Sequence, residues 1–254
     1  ACLIIEVETG NVLVYVGNGD ITTDVPEKAV DMVVANRSTG SILKPFLYAA
    51  SLSAGELLPE TLLKDIPTKM GSFSPENFDR EYSGAVPANE ALARSLNIPF
   101  VYMLREYGIM RFLYILKSLE LNSINKNAEH YGLSLILGGA ESSLWDICSA
   151  YASMARSLKH FNVFESRYLL SDYHKARYIK PENTDTEEMS LKETGFLSAA
   201  SIWFTFEAMS SVNRPGQEKQ WRTFSSKQKV SWKTGTSFGF KDAWSIGVTP
   251  DYVV

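Results

Sequence analysis

Three short clusters of this chain carry groups able to do chemistry together. Ser41-Ile42-Leu43-Lys44 sets a hydroxyl and an amine three residues apart, Ser95-Leu96-Asn97 adds a second hydroxyl and an amide, and Lys233-Thr234-Gly235-Thr236 adds a second amine and two more hydroxyls. On a helix, positions i and i+3 share one face, so the Lys44 amine would lie within reach of the Ser41 hydroxyl. A serine activated by a neighbouring neutral amine attacks acyl carbons, and the set reads as acyl transfer through a Ser41 ester.

Each cluster alone is weak. S-x-x-K recurs at Ser123/Lys126 and Ser226/Lys229, and S-x-N recurs at Ser123/Asn125 and Ser211/Asn213. The Ser123 match lies in the polar stretch 122–127, which reads as a loop, and Ser226/Lys229 runs straight into the strand carrying Lys233. Neither offers a helix start. The Ser41, Ser95, Lys233 set joins a unique K-T-G to a serine that has one.

The elements that must position these groups follow from local signals. Gly40 precedes Ser41, and Pro45 is tolerated only in a first helical turn, where its missing N–H has no partner to lose. A helix is therefore expected over 41–54, ended by Gly55, with Ser41 at its N-terminus, where unpaired N–H groups and the positive dipole end favour an alkoxide or oxyanion. Residues 88–107 are helical in composition, with Pro99 expected to break them just after Ser95-Leu96-Asn97, so that this cluster points into a cleft. Apolar, β-rich runs at 3–7 and 12–16, separated by Glu8-Thr9-Gly10-Asn11, predict a hairpin, and 230–235 and 243–248 predict two antiparallel strands joined by 238–242. Further helices are expected at 110–119, 142–158 and 191–209. Strands at both ends with helices between them predict an α+β domain whose terminal strands share one antiparallel sheet, flanked by helices and a helical subdomain. Residues 175–188, rich in Pro, Asn, Asp, Thr and Glu, read as a mobile loop.

With 254 residues, 45% of them hydrophobic, the chain can bury a substantial core as one large domain. A net charge of −4 gives no basic patch for nucleic acid. Apolar runs fall short of the roughly 18 residues a membrane span needs. The chain opens inside a strand without methionine and stops as a strand begins, and so reads as a fragment. Cys2 and Cys148 read as small buried hydrophobes rather than a disulfide. His130, His160 and His174 sit in polar stretches without paired acidic or cysteine ligands, so no metal is expected, and no cofactor. Trp232 and Trp244 read as core strand residues, Phe238 and Phe240 as walls of a groove, with Trp221 nearby, and Asp242 as a partner for a nearby Arg or Lys.

Beyond the three clusters, segments 30–32, 37–48, 77–79, 89–99, 131–141 and 232–250 together resemble the transpeptidase domain of a class A penicillin-binding protein, closest to the 1C type. Ser38-Thr39 and Ile42 depart from the commonest family pattern without touching a catalytic group. The resemblance implies the penicillin-binding protein and serine β-lactamase fold, and cross-linking of peptidoglycan stem peptides that end in D-Ala-D-Ala. It implies that Ser41 is the nucleophile and Lys44 its base, that Ser95 relays a proton to the leaving amine, and that Lys233 supplies positive charge beside it. Asn97 would bind a substrate amide, the hydroxyls of Thr234 and Thr236, on either side of Gly235, would hold the terminal carboxylate, and the N–H groups of Ser41 and Thr236 would form an oxyanion hole. It further implies acylation by β-lactam antibiotics, a periplasmic site at the outer face of the inner membrane, an upstream glycosyltransferase domain, a membrane helix N-terminal to it, and a final sheet strand.

Three other readings share these residues. A serine β-lactamase needs a base that positions water, and the E-x-x-L-N arrangement that would carry one is absent, since Glu90-Ala91-Leu92-Ala93 leads into the second cluster. A D-Ala-D-Ala carboxypeptidase differs only in whether water or an amine reaches the ester. A non-catalytic module that senses β-lactams or scaffolds cell-wall proteins would not need all five of Ser41, Lys44, Ser95, Asn97 and Lys233.

Overall fold

The structure, a computed structural model, describes residues 1–19, 29–178, 190–211 and 229–254. It opens with strands β1 (Cys2–Glu6), β2 (Val12–Val16) and β3 (Arg37–Ser38), followed by helix α1 (Lys44–Ser53). Strands β4 (Leu62–Asp65) and β5 (Gly84–Pro87) lead to helices α2 (Ala88–Ala93), α3 (Asn97–Tyr107), α4 (Ile109–Ser118) and α5 (Ala128–Tyr131). Strand β6 (Glu141–Ser142), helix α6 (Leu144–Val163), strands β7 (Tyr168–Leu169) and β8 (Leu191–Lys192) and helix α7 (Ala199–Ser210) come next. Strands β9 (Ser231–Thr236), β10 (Ala243–Val248) and β11 (Tyr252–Val253) end the chain.

The terminal strands form one antiparallel sheet in the order β2-β1-β11-β10-β9, as the sequence predicts. Period-2 alternation sends Leu3 and Ile5 of β1, Val253 of β11 and Ile246 and Val248 of β10 to the same buried face, where α6 packs across three strands. Helix α1 is buried on every side through its first eight residues and forms the centre of the helical layer, against α7, α3 and α4. Tyr151 of α6 ties the two layers together. Its hydroxyl donates to Ile42 O at 2.9 Å, and its ring lies 4.6 Å from that of Phe46.

Four features differ from expectation. Helix α1 begins at Lys44, not Ser41, because residues 39–44 are wound in tighter i→i+3 turns, with Ile42 N–H donating to Thr39 O and Lys44 N–H to Ser41 O. The break between α2 and α3 falls at Arg94-Ser95-Leu96. Pro99 sits in the first turn of α3, where it removes no helical bond. Residues 191–209 do not form one helix, since α7 starts only at Ala199, capped by Ser198 Oγ accepting from Ser201 N–H. Arg177, in the expected mobile loop, is fixed to the first hairpin, its N–H donating to Gly10 O and its carbonyl accepting from Val12 N–H. Residues 179–188 of that loop, and separately Trp221 and Ser226, lie outside the described residues.

Cys148 is buried, Cys2 is partly buried, and both are free thiols. His160 does have acidic partners, contrary to expectation. Its Nδ1 lies 2.7 Å from Asp172 and its Nε2 3.0 Å from Glu8, joining α6 to the first hairpin. Among the described residues no group of three or more His, Cys, Asp and Glu could hold a metal ion, and no helix is long and apolar enough to cross a membrane.

Candidate active site

The fold brings the three clusters together. Among the described residues strand β9 is an edge of the sheet, and the turn carrying Ser41 is pressed against it through two glycines. A Cβ on Gly40 (φ +50°) would stand 2.7 Å from Thr236 O and 2.9 Å from Thr236 N, and one on Gly235 would stand 2.7 Å from Ile42 Cγ1 and 3.0 Å from Thr39 O. No other residue permits so close a contact between the two segments. The turn is held from behind by Thr39 N–H donating to Ala140 O at 3.0 Å, Ser38 Oγ to Gly138 O at 2.8 Å and Trp244 Nε1 to Ser38 O at 2.7 Å. Arg37 Nε meets Asp242 Oδ1 at 2.7 Å, fastening the same turn to the loop after β9.

Edge position also determines which backbone groups of β9 are free. Ser237 N–H donates to Asp242 O, and pairing then alternates along Thr236/Ala243, Gly235/Trp244 and Thr234/Ser245. In an antiparallel ladder every second residue turns its N–H and C=O away from its partner, so those of Thr234 and Thr236 face the open edge. The N–H of Thr236 thus lies on the side of Gly40 and Ser41. Among the described residues, neither the N–H nor Oγ of Ser41 makes a hydrogen bond.

Lys44 is fully buried at the start of α1. Its Nζ donates to Ser95 O and to Asn97 Oδ1, each at 2.7 Å. Burial first, and the positive charge of Lys233 second, hold its pKa well below the usual lysine range. Lys233 is also buried, donating to Ser95 Oγ at 2.7 Å and Thr234 O at 2.5 Å, and burial pushes its pKa down to about 7. Ser95 therefore lies between the two lysines, its carbonyl receiving one and its hydroxyl the other. It does so in a left-handed conformation, φ 58°, which costs a non-glycine residue about 1–2 kcal/mol. Such strain persists where surrounding contacts over-determine it, here at the junction of α2 and α3.

The direct Ser41–Lys44 hydrogen bond expected from i, i+3 spacing is not formed, because Ser41 lies in the turn and not on the helix face. Contacts of this kind tighten commonly on substrate binding. Asn97 is more engaged than its spacing suggests. Its Oδ1 receives Lys44, its Nδ2 donates to Glu76 O at 2.7 Å, and its own N–H donates to Asn77 Oδ1 at 2.9 Å. Thr234 and Thr236 are exposed on one face of β9, with Gly235 buried between them.

A cavity of about 990 Å³ runs from Ser95, Lys233 and Thr234 past Trp232 to Trp203 and Glu207 of α7. Trp232, expected in the core, is thus a cavity wall, while Trp244 packs partly buried against the core. Phe240 is exposed in the turn after β9; the side chain of Phe238 lies outside the described residues.

Sequence reasoning gave no role to Asn77. It is buried, and its Oδ1 caps α3 by accepting from Asn97 and Ile98 N–H, while its Nδ2 donates to Asp65 Oδ1 and Glu81 O. No helix-capping pattern could have revealed this, because cap and helix are twenty residues apart.

The family described as "Penicillin binding protein transpeptidase domain" matches residues 1–252. Penicillin-binding protein 1C of Escherichia coli (strain K12) is 35% identical over 240 residues, covering 94% of this chain and 28% of that protein. Penicillin-binding protein 1F of Bacillus subtilis (strain 168) is 28% identical over 256 residues, covering 98% of this chain and 33% of that protein. The chain therefore spans about a third or less of the length of these curated relatives. Among solved structures, penicillin-binding protein PonA1 from Mycobacterium tuberculosis superposes with a TM-score of 0.68 at 18% identity, over 99% of this chain and 66% of that one. Penicillin-binding protein 1A from Haemophilus influenzae gives a TM-score of 0.68 at 18% identity, over 99% of this chain and 42% of that one. Both have the same mixed fold of antiparallel sheet and flanking helices. With the family match spanning nearly every residue, this chain belongs to the penicillin-binding-protein transpeptidase family.

Proposed function

We propose that the chain is a peptidoglycan D,D-transpeptidase module acting through a Ser41 ester. Its donor is a stem peptide ending in D-Ala-D-Ala, its acceptor is an amine of a second stem peptide, and β-lactams acylate the same serine. The carrying observation is the convergence of Lys44 and Lys233, both buried, on Ser95, beside a Ser41 whose turn is pressed against the open edge of β9.

In this reading neutral Lys44 takes the proton of Ser41 Oγ as the oxygen bonds to the carbonyl carbon of the penultimate D-Ala. The developing oxyanion is received by the N–H groups of Ser41 and Thr236, donors worth roughly 3 kcal/mol each where measured by deletion. Collapse breaks the C–N bond to the terminal D-Ala, whose nitrogen takes a proton through Ser95 from the lysine pair. The acceptor amine then attacks the ester, gives up its proton along the same route, and restores Ser41. Thr234 and Thr236 bind the donor's terminal carboxylate beside Lys233, and Asn97 uses its remaining amide hydrogen on a substrate carbonyl. The module works at the outer face of the inner membrane, carried by a longer protein with a glycosyltransferase domain and a membrane helix upstream.

The test is product analysis with a D-Ala-D-Ala peptide, with and without an acceptor amine. Cross-linked dimer formed only with acceptor supports transpeptidation. Release of D-Ala alone, unchanged by acceptor, would make the chain a carboxypeptidase.

A further inference from the structure

Two exposed phenylalanines from separate segments meet, one next to Asn77 and one in the turn after β9. Phe78 is 79% exposed and Phe240 74%, yet their rings meet edge to face at 5.9 Å and 81°. A single exposed apolar side chain is ordinary, but two that meet from separate segments leave a contiguous aromatic patch exposed.

Their places in the fold define what they enclose. Phe78 follows Asn77, which holds the N-terminus of α3 and Asn97. Phe240 closes the turn after β9, its N–H donating to Ser237 O, one residue beyond Thr236. The base of the site runs from Asn97 through Lys44 to Ser41 and Gly40, which meets Thr236. The two rings therefore join the same two walls at the rim that Ser41 and Lys44 join at the base. Phe240 is held there in a left-handed conformation, φ 57°, which costs a non-glycine residue about 1–2 kcal/mol.

We propose that Phe78 and Phe240 form an aromatic rim that grips the apolar side chain of the acyl donor and so sets which donors Ser41 accepts. This rests on the proposed acyl-transfer reading. A donor laid along the open edge of β9 is extended, and alternate side chains of an extended peptide point to opposite sides. The group adjoining the attacked carbonyl is held by Asn97 and Thr236, and the side chain beyond it meets the rim.

The test compares two acylating probes, benzylpenicillin with an aryl side chain and 6-aminopenicillanic acid without one. Second-order acylation rates are measured for the unaltered chain, Phe78→Ala, Phe240→Ala, the double variant, and Phe78→Tyr, with melting curves alongside. Expected is a loss of about tenfold for benzylpenicillin in each alanine variant, the scale of one aromatic contact. The double variant should lose little more than either single, Phe78→Tyr should retain the rate, and the smaller probe should change by less than about twofold. Equal losses with both probes, or none with benzylpenicillin while Ser41 is still labelled, would overturn the rim and leave the acyl-transfer reading standing. No Ser41 adduct with either probe in the unaltered chain would overturn both.

Discussion

Gly40→Ala tests whether contact between the Ser41 turn and β9 sets the chemistry. A Cβ at Gly40 would lie 2.7 Å from Thr236 O and 2.9 Å from its N and C, where ordinary contact begins at 3.4 Å. The segments must part by 3.4 − 2.7 = 0.7 Å at the oxygen and 3.4 − 2.9 = 0.5 Å at the nitrogen. The shift at the nitrogen reaches, and that at the oxygen exceeds, the roughly 0.5 Å within which a catalytic arrangement must be held. Displacing one of two oxyanion donors by this much should slow acylation about 10–10²-fold, less than the 10²–10³ of losing it. Left-handed backbone adds about 1–2 kcal/mol of strain, which for a chain of this size lowers Tm by about 2–8 °C. Gly55→Ala is the matched control. At φ +72° it carries similar strain, but its Cβ meets nothing within 4 Å, so it should cost stability and leave acylation unchanged. The assay is stopped-flow acylation by a fluorescent penicillin with parallel thermal melts. Gly40→Ala acylated at the rate of Gly55→Ala would refute the reasoning.

Four further outcomes follow from the same structure. Lys44→Ala should slow acylation by roughly 10²–10⁴-fold, the loss of a positioned base. In the unaltered chain the rate should fall on the acid side as Lys44 becomes protonated, and on the alkaline side above about 7 as Lys233 loses its charge; a flat rate–pH profile would remove both from the chemistry. Asn77→Ala should cost about 2–3 kcal/mol in denaturant unfolding, since Asn97 N–H, Ile98 N–H and Asp65 lose a buried partner, and a loss below about 0.5 kcal/mol would contradict that. His160→Gln probes the link from α6 to the first hairpin. Hydrogen bonding to Asp172 raises the His160 pKa, so its contribution is complete below the unfolded value and is lost as pH rises through the folded one. The variant should therefore be destabilised by about 1–2 kcal/mol near pH 6 and by clearly less near pH 9, and melts with the opposite trend would reject the link.

Much of the site was legible in the sequence because its groups occur as short clusters whose spacing constrains geometry. The terminal strands were legible too, since 3–7 and 12–16 are apolar, β-rich runs bounded by turn residues. Less legible were features set by distant contacts. Nothing local to Ser95 signals a left-handed backbone, which follows from Lys44 taking its carbonyl and Lys233 its hydroxyl. The Ser41 turn looked helical because Pro45 suits a first turn, yet the contact between Gly40 and β9 holds it tighter than an α-helix. Asn77, Arg37 and Phe78 gained their places from partners 20, 205 and 162 residues away, beyond the reach of any periodic pattern.

The most direct test of Ser41 as nucleophile is intact-mass and peptide mass spectrometry after incubation with penicillin, on the unaltered chain and on Ser41→Ala, followed over several hours. The expected result is a long-lived adduct of one drug mass on the peptide containing Ser41, absent from the folded Ser41→Ala variant. An adduct that persists in that variant, or one carried by another residue, would contradict the assignment, and rapid loss of the adduct with hydrolysed drug would make the chain a β-lactamase.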